Sequence, residues 1–283
     1  MQKGDQQRQS GTQFTVPPPV FVGRENEARY LHEAILKREC RVIFGATGIG
    51  KTALVLKVIR SLPREVAGRC LYLGNIKDLQ DLVRQLVRAL YGAKDTNLRR
   101  QLHTDGISAL TFDAWLKARP GNRLKGTLYR AVEQGDYRIF LDHLPPLTLA
   151  VAKVIKELFW MRKTPVYLLI QDELAQRMYQ FYQFFYWGDR ERLTLQPLSS
   201  EAAAQLLENC IERFGLSHLV LDDFREEVLE LSKRVPGAIV KMSRLAADPR
   251  YQYGSRIKIK SVYIDYLMTC RDLRFPATKL SST

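Results

Sequence analysis

A chain of 283 residues, 46% of them apolar, can bury a sizeable core; this excludes disorder throughout and suits one large domain or a core with a small lid. Lys and Arg total 44 against 30 Asp and Glu, and the formal net charge of +14 points to polyanionic partners, nucleic acid or an acidic membrane surface, with plain solubility as the bland alternative. With no signal-peptide core and no run of about twenty apolar residues, neither secretion nor a membrane span is expected, and the chain reads as cytoplasmic.

Residues 1–19, rich in Gln, Gly, Ser and Thr and ending in Pro17-Pro18-Pro19, predict a disordered tail. Strand and helix then alternate. A helix over Arg24–Lys37 precedes a buried strand at Cys40–Phe44, and a helix over Lys51–Leu62 stops at Pro63. A second strand is expected at Cys70–Leu73, followed by helical spacing of Leu79, Leu82, Val83, Leu86, Val87 and Leu90 and a mixed helical region to about residue 134. Further strands are expected at Arg138–Leu141, Val166–Ile170 and Arg192–Leu195, with a helix over Leu147–Met161. This order implies an α/β fold with a parallel five-stranded sheet and flanking helices. From Ser199 the strands are expected to stop, leaving helices near Ser200–Phe214, Asp222–Arg234, Ala238–Ala246 and Val262–Arg271; Gly215 stands where a C-cap glycine belongs. The expected domains are a core over 20–198, a small C-terminal α-helical lid over 199–275 and a tail over 276–283.

Between the first strand and its helix, Gly45-Ala46-Thr47-Gly48-Ile49-Gly50-Lys51-Thr52 matches the phosphate-binding P-loop pattern G-x-x-x-x-G-K-[ST] at every fixed position. Glycine lets the backbone curl around phosphates where a Cβ blocks the approach. The N–H groups of residues 48–52, at a helix N-terminus, favour an anion, and Ala53 continues that turn. Lys51 is expected to bridge the β- and γ-phosphates of ATP, and the Thr52 hydroxyl to ligate Mg²⁺. A second magnesium-side carboxylate is expected at a strand end, and Asp142, closing Arg138-Ile139-Phe140-Leu141-Asp142, supplies it.

With these motifs the sequence resembles the AAA+/STAND ATPases, the group that includes archaeal origin-recognition ATPases and transposition-regulator ATPases. Phe21-Val22-Gly23-Arg24-Glu25 resembles the family's opening motif, and the resemblance implies that Phe21 and Val22 pack near the adenine. Leu193–Leu198 with the helix after it resembles the approach to the lid, and Val235-Pro236-Gly237-Ala238 the lid's proline-glycine motif, which brings Pro236 to the nucleotide. Many relatives carry Glu after the strand-end Asp, where it polarises the attacking water; here His143 stands there, a poorer match that implies slow hydrolysis. The resemblance places Gln171 at the sensor position after the fourth strand, and Arg190 and Arg192 where a neighbouring subunit's arginine finger often lies. The usual lid arginine is replaced by Ala238-Ile239, with Lys241 one turn on as a substitute.

Between Lys233 and Arg274 ten Lys and Arg face three Asp, with Tyr251, Tyr253, Tyr263 and Tyr266 interleaved. Arg256-Ile257-Lys258-Ile259-Lys260 alternates, so its basic side chains are expected to share one face of an extended segment. Phosphate neutralisation with stacking is the pattern of sequence-tolerant nucleic-acid binding; a solvated lid surface is the alternative. A second basic set includes Arg119, Arg123 and Lys125. Phe181–Trp187 is almost wholly aromatic, a helix packed on the sheet or a partner surface. Cys40, Cys70, Cys210 and Cys270 lack C-x-x-C or zinc-like spacing and read as reduced, mostly buried thiols, and the scattered histidines leave magnesium as the expected metal. The expected function is that of an ATP-dependent, DNA-associated regulator or loader. It forms a homo-oligomer with ATP, binds double-stranded DNA and works with a protein such as a transposase or replication factor. The alternative is a STAND-like switch in which ATP or ADP gates protein partners without DNA.

Overall fold

The computed structural model describes residues 21–144, 148–161, 164–171 and 192–272. The expectations for residues 1–19, Phe181–Trp187, Arg190 and Arg274 lie outside them. In chain order the first elements are α1 (Glu25–Leu36), β1 (Arg41–Gly45), α2 (Lys51–Ser61), α3 (Arg64–Ala67), β2 (Cys70–Leu73), α4 (Leu79–Gly92), α5 (Thr96–Thr104), α6 (Phe112–Ala118) and α7 (Gly121–Gln134). There follow β3 (Arg138–Leu141), α8 (Leu149–Trp160), β4 (Val166–Gln171) and β5 (Arg192–Thr194). The last stretch holds α9 (Ser200–Arg213), α10 (Asp222–Leu231), α11 (Pro236–Ala246), β6 (Gln252–Tyr253), β7 (Arg256–Ile257) and α12 (Ile259–Asp272).

The chain packs as two compact units, the first formed by described residues of 26–45 and 54–194, the second by those of 19–25, 46–53 and 195–283. In the first, a five-stranded parallel sheet has the order β2-β3-β4-β1-β5. Strands β1 and β3 are buried along their whole length, as a parallel sheet covered on both faces requires. Alternation sends Val42, Leu71, Leu73, Ile139, Leu141 and Leu168 to one face, against a cluster with Leu82, Leu86, Leu124, Leu128, Val154 and Leu158 from α4, α7 and α8. On the other face Phe140 and Tyr167 stack at 4.4 Å, and the Tyr167 hydroxyl donates to Ala34 O of α1 at 3.4 Å. Helix α4 forms because Leu82, Val83, Leu86, Val87 and Leu90 make one buried stripe and Asp78 caps it, accepting the Asp81 N–H at 2.8 Å.

The second unit has its own core, in which Leu206, Leu207 and Ile211 of α9, Val228 of α10, Ile239 and Met242 of α11 and Val262 of α12 converge. Gly215 ends α9 with φ +68°, and the next N–H, of Leu216, reaches Ile211 O at 2.9 Å, a glycine C-cap. Helix α10 stops at Leu231, three residues short of the expected end, because Lys233 and Arg234 turn left-handed at φ 50° and 59°. Two expectations fail here. Strands do not stop at Ser199: β6 and β7 form an antiparallel hairpin around Gly254 (φ +57°), held by the Val220 N–H donating to Ser255 O at 2.8 Å. Nor do Arg256–Lys260 form one extended segment. Only Arg256–Ile257 is strand, and α12 starts at Ile259 because Ile259 and Val262 are buried at helical spacing.

Candidate nucleotide-binding site

The loop after β1 has the backbone its glycines allow. Gly48 and Gly50 have φ of +79° and +101°, and the space a Gly50 Cβ would enter is open. Ile49, 1% exposed, anchors the loop from within, and its N–H donates to Ala46 O at 3.2 Å. Lys51, buried at the head of α2, donates from Nζ to Ala46 O at 3.0 Å, folding its ammonium back over the loop. Thr52 and Ala53 follow in the first turn of α2, both half-buried. A curled glycine backbone, a helix N-terminus and a folded-back ammonium fit a nucleotide phosphate chain.

Two contacts brace this loop, and neither was legible in the sequence. The buried Arg24 guanidinium donates to Ile49 O at 3.4 Å and also to Gln196 O. The Gly237 N–H donates to Gly48 O at 2.8 Å, and a Cβ on Gly237 would lie 2.8 Å from Gly48 Cα. The left-handed turn at Lys233 and Arg234 delivers Val235-Pro236-Gly237 to this contact. Val22 packs on the core of the second unit, Phe21 and Pro236 are half-buried, and the Lys241 ammonium lies 5.8 Å from the Tyr266 ring centroid.

Asp142 directly follows β3, 3% exposed, and its N–H extends the sheet by donating to Leu73 O at 2.8 Å. Its Oδ2 accepts the Tyr72 hydroxyl at 2.7 Å and its Oδ1 the His143 N–H at 2.8 Å. His143 is left-handed at φ 50°, with a half-exposed imidazole whose Nδ1 lies 3.2 Å from Asp142 Oδ1. An oriented buried carboxylate is a fitting donor for magnesium. Gln171 ends β4 opposite Gly45 in the register. Arg192 begins β5, half-buried, with its guanidinium 5.9 Å from the centroid of the Phe44 ring. Among the described residues no group of three or more His, Cys, Asp or Glu could hold a metal, and no helix is long and apolar enough to cross a membrane.

The structure sorts the basic and aromatic residues. Arg256, Lys258 and Lys260 are exposed, the first two on or beside the β6–β7 hairpin, with Tyr253 77% exposed there and 5.6 Å from the Lys258 ammonium. The other three tyrosines turn inward: Tyr251 is buried and donates to Asp265, while Tyr263 and Tyr266 stack half-buried at 6.3 Å. Arg123 is exposed and Lys125 half-buried, whereas Arg119 is engaged by Asp105 at 3.2 Å and by the Trp115 ring at 4.8 Å. Cys210 is buried, and Cys40 and Cys70 are half-buried.

The fold is shared with solved structures of low sequence identity. The Walker-type ATPase PABY2304 of Pyrococcus abyssi superposes with a TM-score of 0.56 at 12% identity, over 90% of this chain and 73% of that one. The Aeropyrum pernix ORC1 protein, solved in complex with DNA, gives 0.59 at 17% identity over 90% of this chain and 67% of its own. The Aeropyrum pernix ORC2 protein gives 0.55 at 14% identity over 95% and 74%. No curated protein matches the sequence. The model of the AAA ATPase domain matches residues 20–231, and the chain belongs to that family.

Proposed function

We propose that this protein binds ATP with magnesium at its glycine-rich loop and works as a nucleotide-dependent, DNA-associated regulator or loader that assembles with further copies of itself on DNA. The observation that carries the ATP reading is the braced loop: Gly48 and Gly50 in glycine-only conformations, with Lys51 folded over them. In this reading Lys51 neutralises the β- and γ-phosphates, and Thr52 and Asp142 hold magnesium, which adds charge neutralisation at the phosphates. His143 stands where many relatives carry a water-polarising glutamate; a neutral imidazole can orient a water but matches that role less well. General-base and water-positioning groups contribute about 10²–10⁴-fold, so turnover is slow and ATP acts more as a switch than as fuel. Steady-state phosphate release measures this; tens of turnovers per second without any partner would overturn it.

The DNA reading rests on the exposed cations of the β6–β7 hairpin and of α12, on the charge of +14, and on the shared fold of an ORC1 protein solved with DNA. Binding through phosphates carries no base information, so it should weaken alike on all sequences. Anisotropy titrations on unrelated duplexes, over a salt series and with a non-hydrolysable ATP analogue, test it. Log affinity should fall with log salt by about 0.9 per phosphate neutralised. Replacing Arg256, Lys258 and Lys260 by Glu should weaken binding and flatten that slope. No binding at low salt by the folded protein would sink the DNA role.

A further inference from the structure

We propose that Tyr72 is a positioning residue for magnesium, acting through Asp142; the proposal rests on the reading of Asp142 as the magnesium-side carboxylate. The pairing of β2 with β3 sets Tyr72 opposite Phe140 and Leu73 opposite Leu141. Side chains alternate along a strand, so Tyr72, Phe140 and Asp142 share one face, while Leu71, Leu73 and Leu141 enter the core on the other. The Asp142 N–H to Leu73 O bond carries this pleat one residue past β3. Tyr72 and Asp142 are therefore diagonal neighbours on adjacent strands. The length of a tyrosine spans that diagonal, and its hydroxyl donates to Asp142 Oδ2 at 2.7 Å.

The consequence is a carboxylate held at both oxygens. The Asp142 side chain is only 4% exposed, so water does not set its orientation. Tyr72 holds Oδ2, and the left-handed His143 holds Oδ1 through its N–H at 2.8 Å, with its Nδ1 3.2 Å from the same oxygen. Donors on both oxygens fix the torsion of the carboxyl plane, and with it the direction in which the carboxylate can meet a metal ion. Partners that orient a metal-ligating carboxylate typically change metal affinity about 10–100-fold when removed. No part of the phosphate-binding motif specifies a tyrosine here; the neighbouring strand β2 supplies it.

The test is Tyr72→Phe, which keeps the ring and removes only the donor. Fluorescent-nucleotide binding is followed against Mg²⁺ concentration, and separately in EDTA, with Asp142→Asn beside it and Tyr72→Met as a second variant without the hydroxyl. Thermal unfolding selects the variants that fold. The expected result is a Mg²⁺ midpoint raised about tenfold or more in both Tyr72 variants, with metal-free nucleotide affinity unchanged. Electron-spin resonance of Mn²⁺ with ADP should report the same weakening without any turnover. If Asp142→Asn moves the midpoint and the Tyr72 variants do not, Tyr72 only satisfies a buried carboxylate and the proposal is wrong, while the reading of Asp142 stands. If none moves it, both fall. A loss in EDTA equal to the loss with Mg²⁺ would also overturn the proposal, since it would mean a general disturbance of the site.

Discussion

Gly237→Ala puts the bracing of the phosphate-binding loop to a sharp test. The added Cβ would lie 2.8 Å from Gly48 Cα, 2.9 Å from Gly48 O and 3.3 Å from Gly48 C, all backbone atoms that cannot rotate away. Helix α11 must then lift off the loop, and the Gly237 N–H to Gly48 O bond of 2.8 Å lengthens or breaks. Overpacking of this kind costs about 1–3 kcal/mol, and the lost hydrogen bond about 1 kcal/mol. The reduced freedom of the unfolded chain returns about 0.4–1 kcal/mol, so the net destabilisation should be about 1–4 kcal/mol. Gly92→Ala is the control: it sits at the end of α4, nothing lies within 4 Å of its Cβ, and its φ is ordinary, so it should be neutral or stabilising. Thermal unfolding of both variants, with and without an ATP analogue, measures the first quantity. Nucleotide titration measures the second, and a displaced Gly48 should cost at least about tenfold in affinity, or about 1.4 kcal/mol. If Gly237→Ala matches Gly92→Ala in stability and binds nucleotide like the parent, the loop is not held by α11 and the reasoning is refuted.

Arg24→Met keeps the apolar stem but removes the donor to Ile49 O and Gln196 O, so it should destabilise by about 1–3 kcal/mol and weaken nucleotide binding; an unchanged unfolding midpoint would show that the clamp is idle. Burial pushes the Cys70 thiol up to about 12 from 9.0, so at pH 8 it should react with iodoacetamide far more slowly in the folded protein than in denaturant. Because the folded value is the higher one, the contribution of this thiol to stability is complete below about pH 9 and is lost as pH rises towards 12, which an alkaline series of unfolding midpoints on Cys70→Ser and its parent would register as a difference.

The parts of the fold written in short-range pattern were legible. Cys70–Leu73 and Arg138–Leu141 are bounded as expected, because a short apolar run between turns leaves little choice for a buried strand. The β6–β7 hairpin was not legible, since its strands are two residues each and period-2 alternation ran on into Ile259 and Lys260, which are helical. The phosphate-binding loop could be read because glycine positions dictate its backbone locally. Its supports could not: Arg24 reaches Ile49 across 25 residues and Tyr72 reaches Asp142 across 70, and both depend on how the chain packs. The tyrosines near the C-terminus illustrate the same limit, because composition cannot tell the exposed Tyr253 from Tyr251, whose ring is buried and whose hydroxyl is given to Asp265.

The central claim, that the loop from Gly45 to Thr52 binds ATP through Lys51, is tested most directly by calorimetric titration of the parent protein and Lys51→Ala with ATP and Mg²⁺. The parent should bind with a single site per chain. The variant should lose about 1.5–3 kcal/mol, the worth of a charged hydrogen bond, which is roughly 10–150-fold in affinity, with its unfolding temperature in the absence of nucleotide close to the parent's. Equal affinity in a folded Lys51→Ala protein would contradict the account.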